Sequence, residues 1–192
     1  MNFKSKNHGM TLTETSIVVM VASLILAISL ASVRVLDSFS VDKDAFFVTE
    51  TSRHLKKSSL ALDGYFNVDI NYLANFNFIP DYMMKSGVAR SAFGGLVTVS
   101  PVALWSANPL QPKGLEISFA DMPKQACIEM VPRVEGDLYS VKINGALIKG
   151  PSTPYSAAAL AVACNLASTH TLTFTIAHID FACRTNPSVH CS

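Results

Sequence analysis

Gly9-Met10-Thr11-Leu12-Thr13-Glu14-Thr15-Ser16-Ile17-Val18-Val19-Met20 opens the stretch that decides the fold, and its apolar run continues to Val33. A short basic head with Lys4 and Lys6 precedes it, and a single acid, Glu14, stands at the start of the run. About 19 residues separate Glu14 from Arg34 without a charge, and as a helix at 1.5 Å per residue they reach roughly 28 Å, one bilayer hydrocarbon core. The segment at about 15–33 is long enough to span a membrane. A carboxylate inside such a segment costs about 2.5–3.5 kcal/mol at mid-helix and less near an interface, so Glu14 asks for a cationic partner. A cut between Gly9 and Met10 would create one, because the new amine of Met10 lies one helical turn from Glu14. The two groups can then neutralise each other within one chain or between neighbours.

Glycine before a cut, methionine, glutamate at the fifth mature position and an apolar helix together resemble the processing site of type IV prepilins. The methionine start and the nine-residue leader, residues 1–9, are closer to the type IVb branch than to type IVa. Thr13 departs from the family pattern, which usually has an apolar residue there. The competing reading is an ordinary secretory signal peptide leaving near Leu26 to Ser29 or Ala27 to Ala31. Glu14 argues against it, since an acid between basic head and apolar core is unusual in a signal and required in a prepilin.

Beyond Val33 the helical pattern persists while polarity rises. Leu36, Phe39, Phe46, Phe47, Leu55, Leu60 and Leu62 recur at three- and four-residue intervals among Asp37, Asp42, Lys43, Glu50, Arg53, Lys56 and Lys57, the pattern of a helix laid on a domain along one side. Asp42 and Asp44 read as solvated. No proline or glycine interrupts before Asp63-Gly64, so one helix is expected over 10–62, roughly 75–80 Å long. Its front half needs lipid or other helices, and its rear half needs a sheet.

The remaining 63–192 form a head domain. Tyr65, Phe66, Tyr72, Phe76, Phe78 and Tyr82 anchor a connecting segment that packs onto the long helix, with a break at Ser86-Gly87. After a turn at Ser91 to Gly95, Leu96 to Ser100 alternates as a strand, with Val102 to Trp105 as a candidate second one. Leu115 to Ala120 alternates cleanly. Asp121-Met122-Pro123 is expected to open a short helix carrying Cys127, Ile128 and Met130, with Pro132 closing it. Asn144-Gly145, between Asp137 to Ile143 and Ala146 to Lys149, specifies a type I′ hairpin. Ser152-Thr153-Pro154 reads as the cap of an alanine-rich helix over Tyr155 to Asn165, and Thr171 to Ile176 as a half-buried antiparallel strand. The order implies α+β: a long N-terminal helix with its rear half on an antiparallel sheet, two short helices and a disulfide-stapled C-terminal region.

Cys127, Cys164, Cys183 and Cys191 all lie behind a segment that would deliver them across a membrane, so they read as a disulfide set with three possible connectivities. A zinc set of His178, Cys183, His190 and Cys191 lacks the usual ligand spacing. The motifs of serine hydrolases, zinc proteases, phosphate loops and dinucleotide folds are absent from the sequence, so an enzyme is not expected, nor a cofactor or a metal. Net charge is +1 overall and about −1 without the leader lysines, which offers nucleic acid no electrostatic footprint.

The body also resembles type IVb pilins, especially those of thin conjugative or plasmid-type pili, at Phe93 to Val99, Ala126-Cys127-Ile128 and Ala163-Cys164-Asn165 with Thr171 to Thr175. The resemblance implies a Cys127–Cys164 disulfide, with Cys183 and Cys191 closing the tail. It also implies cleavage after Gly9 by a prepilin peptidase, N-methylation of Met10, and insertion in the inner membrane of a Gram-negative bacterium. The inner-membrane assembly machinery would then pack identical subunits into an extracellular pilus, with Glu14 meeting the Met10 amine of an adjacent subunit. The length suits a major subunit; a minor pilin often carries a larger extra domain, and secretion pseudopilins commonly lack this cysteine arrangement. The reading from another class is a membrane-tethered or secreted binding module that does not polymerise and holds a ligand at the aromatic loop or the tail.

Overall fold

Helix α1, Leu12–Ser58, is uninterrupted because no proline or glycine falls within it. The computed structural model describes residues 12–58, 64–104 and 112–178, and within α1 the side chains of 12–15, 24–36 and 58 lie outside that description. The expected end of the helix at Leu62 falls outside it too. Two compact units divide the chain, Met1–Asp37 and Ser38–Ser192.

In the second unit α1 buries one stripe: Val41, Asp44, Ala45, Val48, Thr51, Ser52 and Leu55, at steps of three and four, which is the period of a helix lying on a core. Phe47 flanks the stripe and meets Phe119 edge to face with ring centroids 6.3 Å apart, and Phe119 meets Phe174 in the same way at 5.9 Å. Three rings thus connect the helix to the sheet and contribute about 0.5–1.5 kcal/mol per pair beyond burial. Phe39 and Phe46, expected on the packed side, are instead 57% and 61% exposed. At about 100° per residue they fall on the face opposite Val48.

The sheet consists of β3 (Val97–Val102), β4 (Gly114–Pro123), β5 (Ser140–Ile143), β6 (Ala146–Lys149) and β7 (Thr169–Ala177), in the order β3-β4-β7-β5-β6 and antiparallel throughout. Among the described residues, the last strand in sequence is therefore the central one. Leu115, Ile117, Phe119, Leu172, Phe174 and Ile176 form a fully buried inner face. The outer face is polar: Ser118 and Thr173 hydroxyls pair at 2.9 Å, Ser140 donates to Thr175 at 2.7 Å, and Lys142 donates to Glu116 at 2.9 Å. Asn144 (φ 50°) and Gly145 (φ 82°) both adopt the left-handed conformation that a type I′ turn requires. The turn is as expected from the sequence.

Several local expectations are corrected. Val102 ends β3, and no second strand begins at 103–104, while 105–111 lie outside the described residues. Ser86-Gly87 is the tip of a small hairpin of β1 (Met84–Lys85) and β2 (Val88–Ala89). Asp121 opens no helix; it sits at φ 54° in the irregular pairing between Phe119 and Met122, and β4 runs on to Pro123. Helix α3 is Lys124–Val134, with Pro132 inside it. The proline removes one backbone hydrogen bond, but Val131 and Val134 on either side are fully buried and hold the turn together. Helix α4 is Ala157–Asn165, capped by Ser156, whose hydroxyl accepts the Ala159 N–H at 3.3 Å. Gly150 and Thr153 bond each other's backbone at 2.9 and 3.1 Å, which ties up the stretch expected to cap it. A short helix α2, Ile70–Asn75, is capped by Asp69 through the Tyr72 N–H.

Asp44 is the largest departure, being fully buried rather than solvated. Both its oxygens accept the Ala92 N–H, at 3.0 and 3.1 Å, so α1 grips the turn Ser91 to Gly95. Within that turn the Ser91 hydroxyl accepts the Gly95 N–H at 3.1 Å. Gly95 admits no side chain, since a Cβ there would lie 1.8 Å from the Ala120 carbonyl oxygen. Burial pushes the Asp44 carboxyl up to about 6, against the opposing pull of the Ala92 N–H and the Lys43 charge.

The Cys127–Cys164 disulfide joins α3 to α4 with a Cα–Cα distance of 5.9 Å. Arg133 ties α3 to α1 through Asp42 at 3.1 Å and Ser38 at 3.3 Å. Lys56 and Ser52, near the other end of α1, donate to the Asp137 carbonyl at 2.7 and 3.4 Å. The aromatic segment packs as expected at Tyr65, which is fully buried, at Phe78, stacked on His54 at 5.1 Å, and at Tyr82, whose hydroxyl donates to the Lys43 carbonyl at 2.8 Å. Phe66 and Phe76 stay exposed.

Replacing Cys127 and Cys164 together with alanine is expected to lower unfolding free energy by roughly 2–4 kcal/mol, the range for a loop closed over a separation of 37 residues. Urea unfolding of the double variant beside the oxidised wild type measures it. The raised folded-state pKa of Asp44 means that its neutral form favours folding; this contribution is full below about pH 4 and is lost as pH rises through about 6. Asp44→Asn is therefore expected to gain on the wild type by about 2 kcal/mol between pH 4.5 and 7, and a constant difference across that window would contradict the buried acid.

Candidate assembly surface

Hydrophobic composition without an amphipathic pattern marks the front of α1. Residues 16–23 are exposed on every side of the helix, with Ile17, Val18, Val19, Met20 and Val21 between 53% and 71% accessible. Burying such side chains returns roughly 1–2 kcal/mol each. Two serines bound the stretch, Ser16 and Ser23, and the Ser23 hydroxyl donates back to the Met20 carbonyl at 2.8 Å; between them residues 17–22 are apolar on every side. A helix that is apolar all round is one that another apolar phase must surround.

Among the described residues no helix is long and apolar enough to cross a membrane. The second part of the run, residues 24–36, has its side chains outside the description. Gly9 and Met10, the processing residues, also lie outside it. Glu14 lies within α1, with its side chain outside the description. Of the four cysteines the structure brings together Cys127 and Cys164, the pairing that the resemblance implies. Cys183 and Cys191 lie outside the described residues, as does His190; His178 is buried and its N–H donates to the Lys113 carbonyl at 2.7 Å.

On the head, the structure adds surfaces that the periodicity did not single out. Phe39 and Phe46 stand outward on α1 with Lys43 between them, its ammonium 4.5 Å from the Phe39 ring centroid and 5.3 Å from that of Tyr82. Plotting the helix at 100° per residue separates this pair from the Val41 to Leu55 stripe, so the signal was present in the spacing. An open groove of about 470 Å³ is lined by Phe66, Asn67, Asp69, Pro101, Ala103 and Pro112. Its one acid, Asp69, is engaged in capping α2, and that hydrogen bond from the Tyr72 N–H holds its carboxyl below the usual range. Among the described residues no cluster of histidine, cysteine or acids is arranged to hold a metal ion.

Residues 42–177, which begin on α1 and end with β7, match the sequence family described as PilS N terminal. No curated protein matches the sequence. Two similar solved structures are TcpA, a type IV pilin from Vibrio cholerae El Tor biotype, and a type IV b pilin from Salmonella typhi. The first is 15% identical, with a TM-score of 0.49 over 71% of this chain and 98% of that one. The second is 18% identical, with a TM-score of 0.48 over 69% and 97%. The assignment rests on the family match, which spans 136 of the 192 residues: the chain belongs to the PilS N-terminal family and is a type IVb pilin, a pilus subunit.

Proposed function

We propose that the chain is made as a prepilin whose leader is residues 1–9, is held in the inner membrane by the apolar part of α1, and is cut after Gly9 by a prepilin peptidase. Met10 is then N-methylated, and the assembly machinery packs identical subunits into an extracellular filament through their α1 helices. The role is structural and involves no catalysis. The supporting observation is the front of α1, exposed and, over residues 17–22, apolar on every side. Water penalises that surface, and outside the membrane a bundle of identical helices is the arrangement that removes it. Glu14 sets register there by pairing with a neighbour's Met10 amine, since a buried unpaired carboxylate is strongly unfavourable.

The intact mass of protein sheared from cells is expected to begin at Met10 with one methyl increment. A start near Ser29 to Ser32 would indicate ordinary secretion, and an uncut chain a plain tether. Glu14→Val is expected to leave membrane insertion intact while lowering filament yield at least tenfold; electron microscopy of sheared fractions beside membrane fractionation reads both. Normal filament numbers from that variant would remove the register role.

A further inference from the structure

We propose that Asn144 is a deamidation site guarded by His170, which holds the Asn144 amide against β7 and away from the Gly145 nitrogen that would otherwise attack it. The inference stands apart from the polymerisation reading, since it concerns the folded head alone. Asn144-Gly145 is the only Asn-Gly pair in the sequence, and a glycine after asparagine puts no side chain in the way of the reaction. The backbone nitrogen of Gly145 loses its proton and attacks Asn144 Cγ; a C–N bond forms, and the side-chain nitrogen leaves as ammonia. Water then opens the cyclic imide to aspartate or isoaspartate. Both residues are exposed at the tip of the β5–β6 hairpin, and the space beside the Gly145 Cα is open. Sequence and exposure thus favour conversion.

The hydrogen bonds at the tip oppose it. Asn144 Oδ1 accepts the Thr171 N–H at 2.8 Å, which fixes the amide's orientation and turns Nδ2 toward His170 Nδ1, 3.1 Å away. His170 Nε2 lies 3.0 Å from the carbonyl of Ala167, in the link between α4 and β7. A carbonyl only accepts, so Nε2 carries a proton; Nδ1 faces an N–H and offers its lone pair. The ring itself is 2% exposed, on the inner face with Leu172. The Asn144 backbone N–H also donates to the Thr171 carbonyl at 2.9 Å. Residue 144 is therefore fastened to β7 by three bonds, and the two through its amide must break before Cγ can swing onto the nitrogen of its own next residue. His170 is a positioning residue, anchored by Ala167 and acting through Asn144. Conversion would undo the tip. Aspartate sets a second acceptor against the Nδ1 lone pair, and isoaspartate adds a methylene to the backbone of a turn built on two left-handed residues. Strand β6, at the edge of the sheet and paired with β5, would lose its register.

The test incubates the full chain, in detergent micelles and warm, mildly alkaline buffer, beside a synthetic peptide of residues 143–149. Trypsin, cutting after Lys142 and Lys149, releases the same peptide from the protein, and mass spectrometry follows the amide-to-acid increment. The wild type is expected to convert at least tenfold more slowly than the free peptide. His170→Leu, which removes the acceptor, is expected to convert about fivefold faster than the wild type, the scale of one neutral hydrogen bond. His170→Asn keeps an acceptor oxygen near the place of Nδ1 and is expected to return close to the wild-type rate. Both variants are compared with the Cys127–Cys164 disulfide formed and thermal unfolding above the incubation temperature. A wild type as fast as the peptide, a folded His170→Leu no faster than the wild type, or a folded His170→Asn as fast as His170→Leu overturns the guard. Nitrogen-15 NMR of the wild type needs no variant: His170 is expected to carry its proton on Nε2 with Nδ1 bare, and a proton on Nδ1 in that buffer overturns the inference by itself.

Discussion

One helix has to satisfy two environments, and the rest of the molecule follows from that. The rear of α1 buries a stripe from Val41 to Leu55 on a sheet, as a helix on a globular domain does. Its front, residues 17–22, presents apolar side chains in every direction. Lipid or other helices can cover such a surface, because each buried apolar side chain is a gain over water.

The head is built to hold the rear of that helix firmly. Its central strand, β7, is the last in sequence among the described residues and pairs with β4 and β5 across the intervening helices and strands, so the sheet is complete only once the chain has been made as far as Ala177. The disulfide between α3 and α4 constrains the chain between β4 and β7, which reduces the freedom the unfolded chain must give up. Arg133, Ser52 and Lys56 add polar ties at separate points along α1. Those ties are partly exposed and individually weak; the aromatic chain Phe47, Phe119, Phe174 carries more.

Asp44 shows how polarity is used inside this domain. A carboxylate in the buried stripe costs stability when charged, yet its two oxygens fasten the turn at Ala92. That turn carries Gly95 against the Ala120 carbonyl with no room for a side chain. The motif Phe93-Gly94-Gly95, one of the resemblances to the family, thereby has a steric reason in this chain.

What the sequence determined by itself was whatever depends on neighbours within a few residues. The absence of proline and glycine made α1 continuous, Asn144-Gly145 set a type I′ turn because both residues tolerate positive φ, and alternation placed Leu172, Phe174 and Ile176 on the inner face. The leader motif and the cysteines pointed to a pilin through resemblance, and the Cys127–Cys164 pairing came from the same source. The tertiary structure decided which way each face turned. Phe39 and Phe46 look like core by composition and lie outward, while Asp44 looks like surface and lies inward, because the sheet covers only one side of α1 and side-chain type does not say which. Pro132 stays within α3 and Ser156 rather than Ser152 caps α4 for a related reason: burial of Val131 and Val134, and the pairing of Gly150 with Thr153, are energies that only packed neighbours supply.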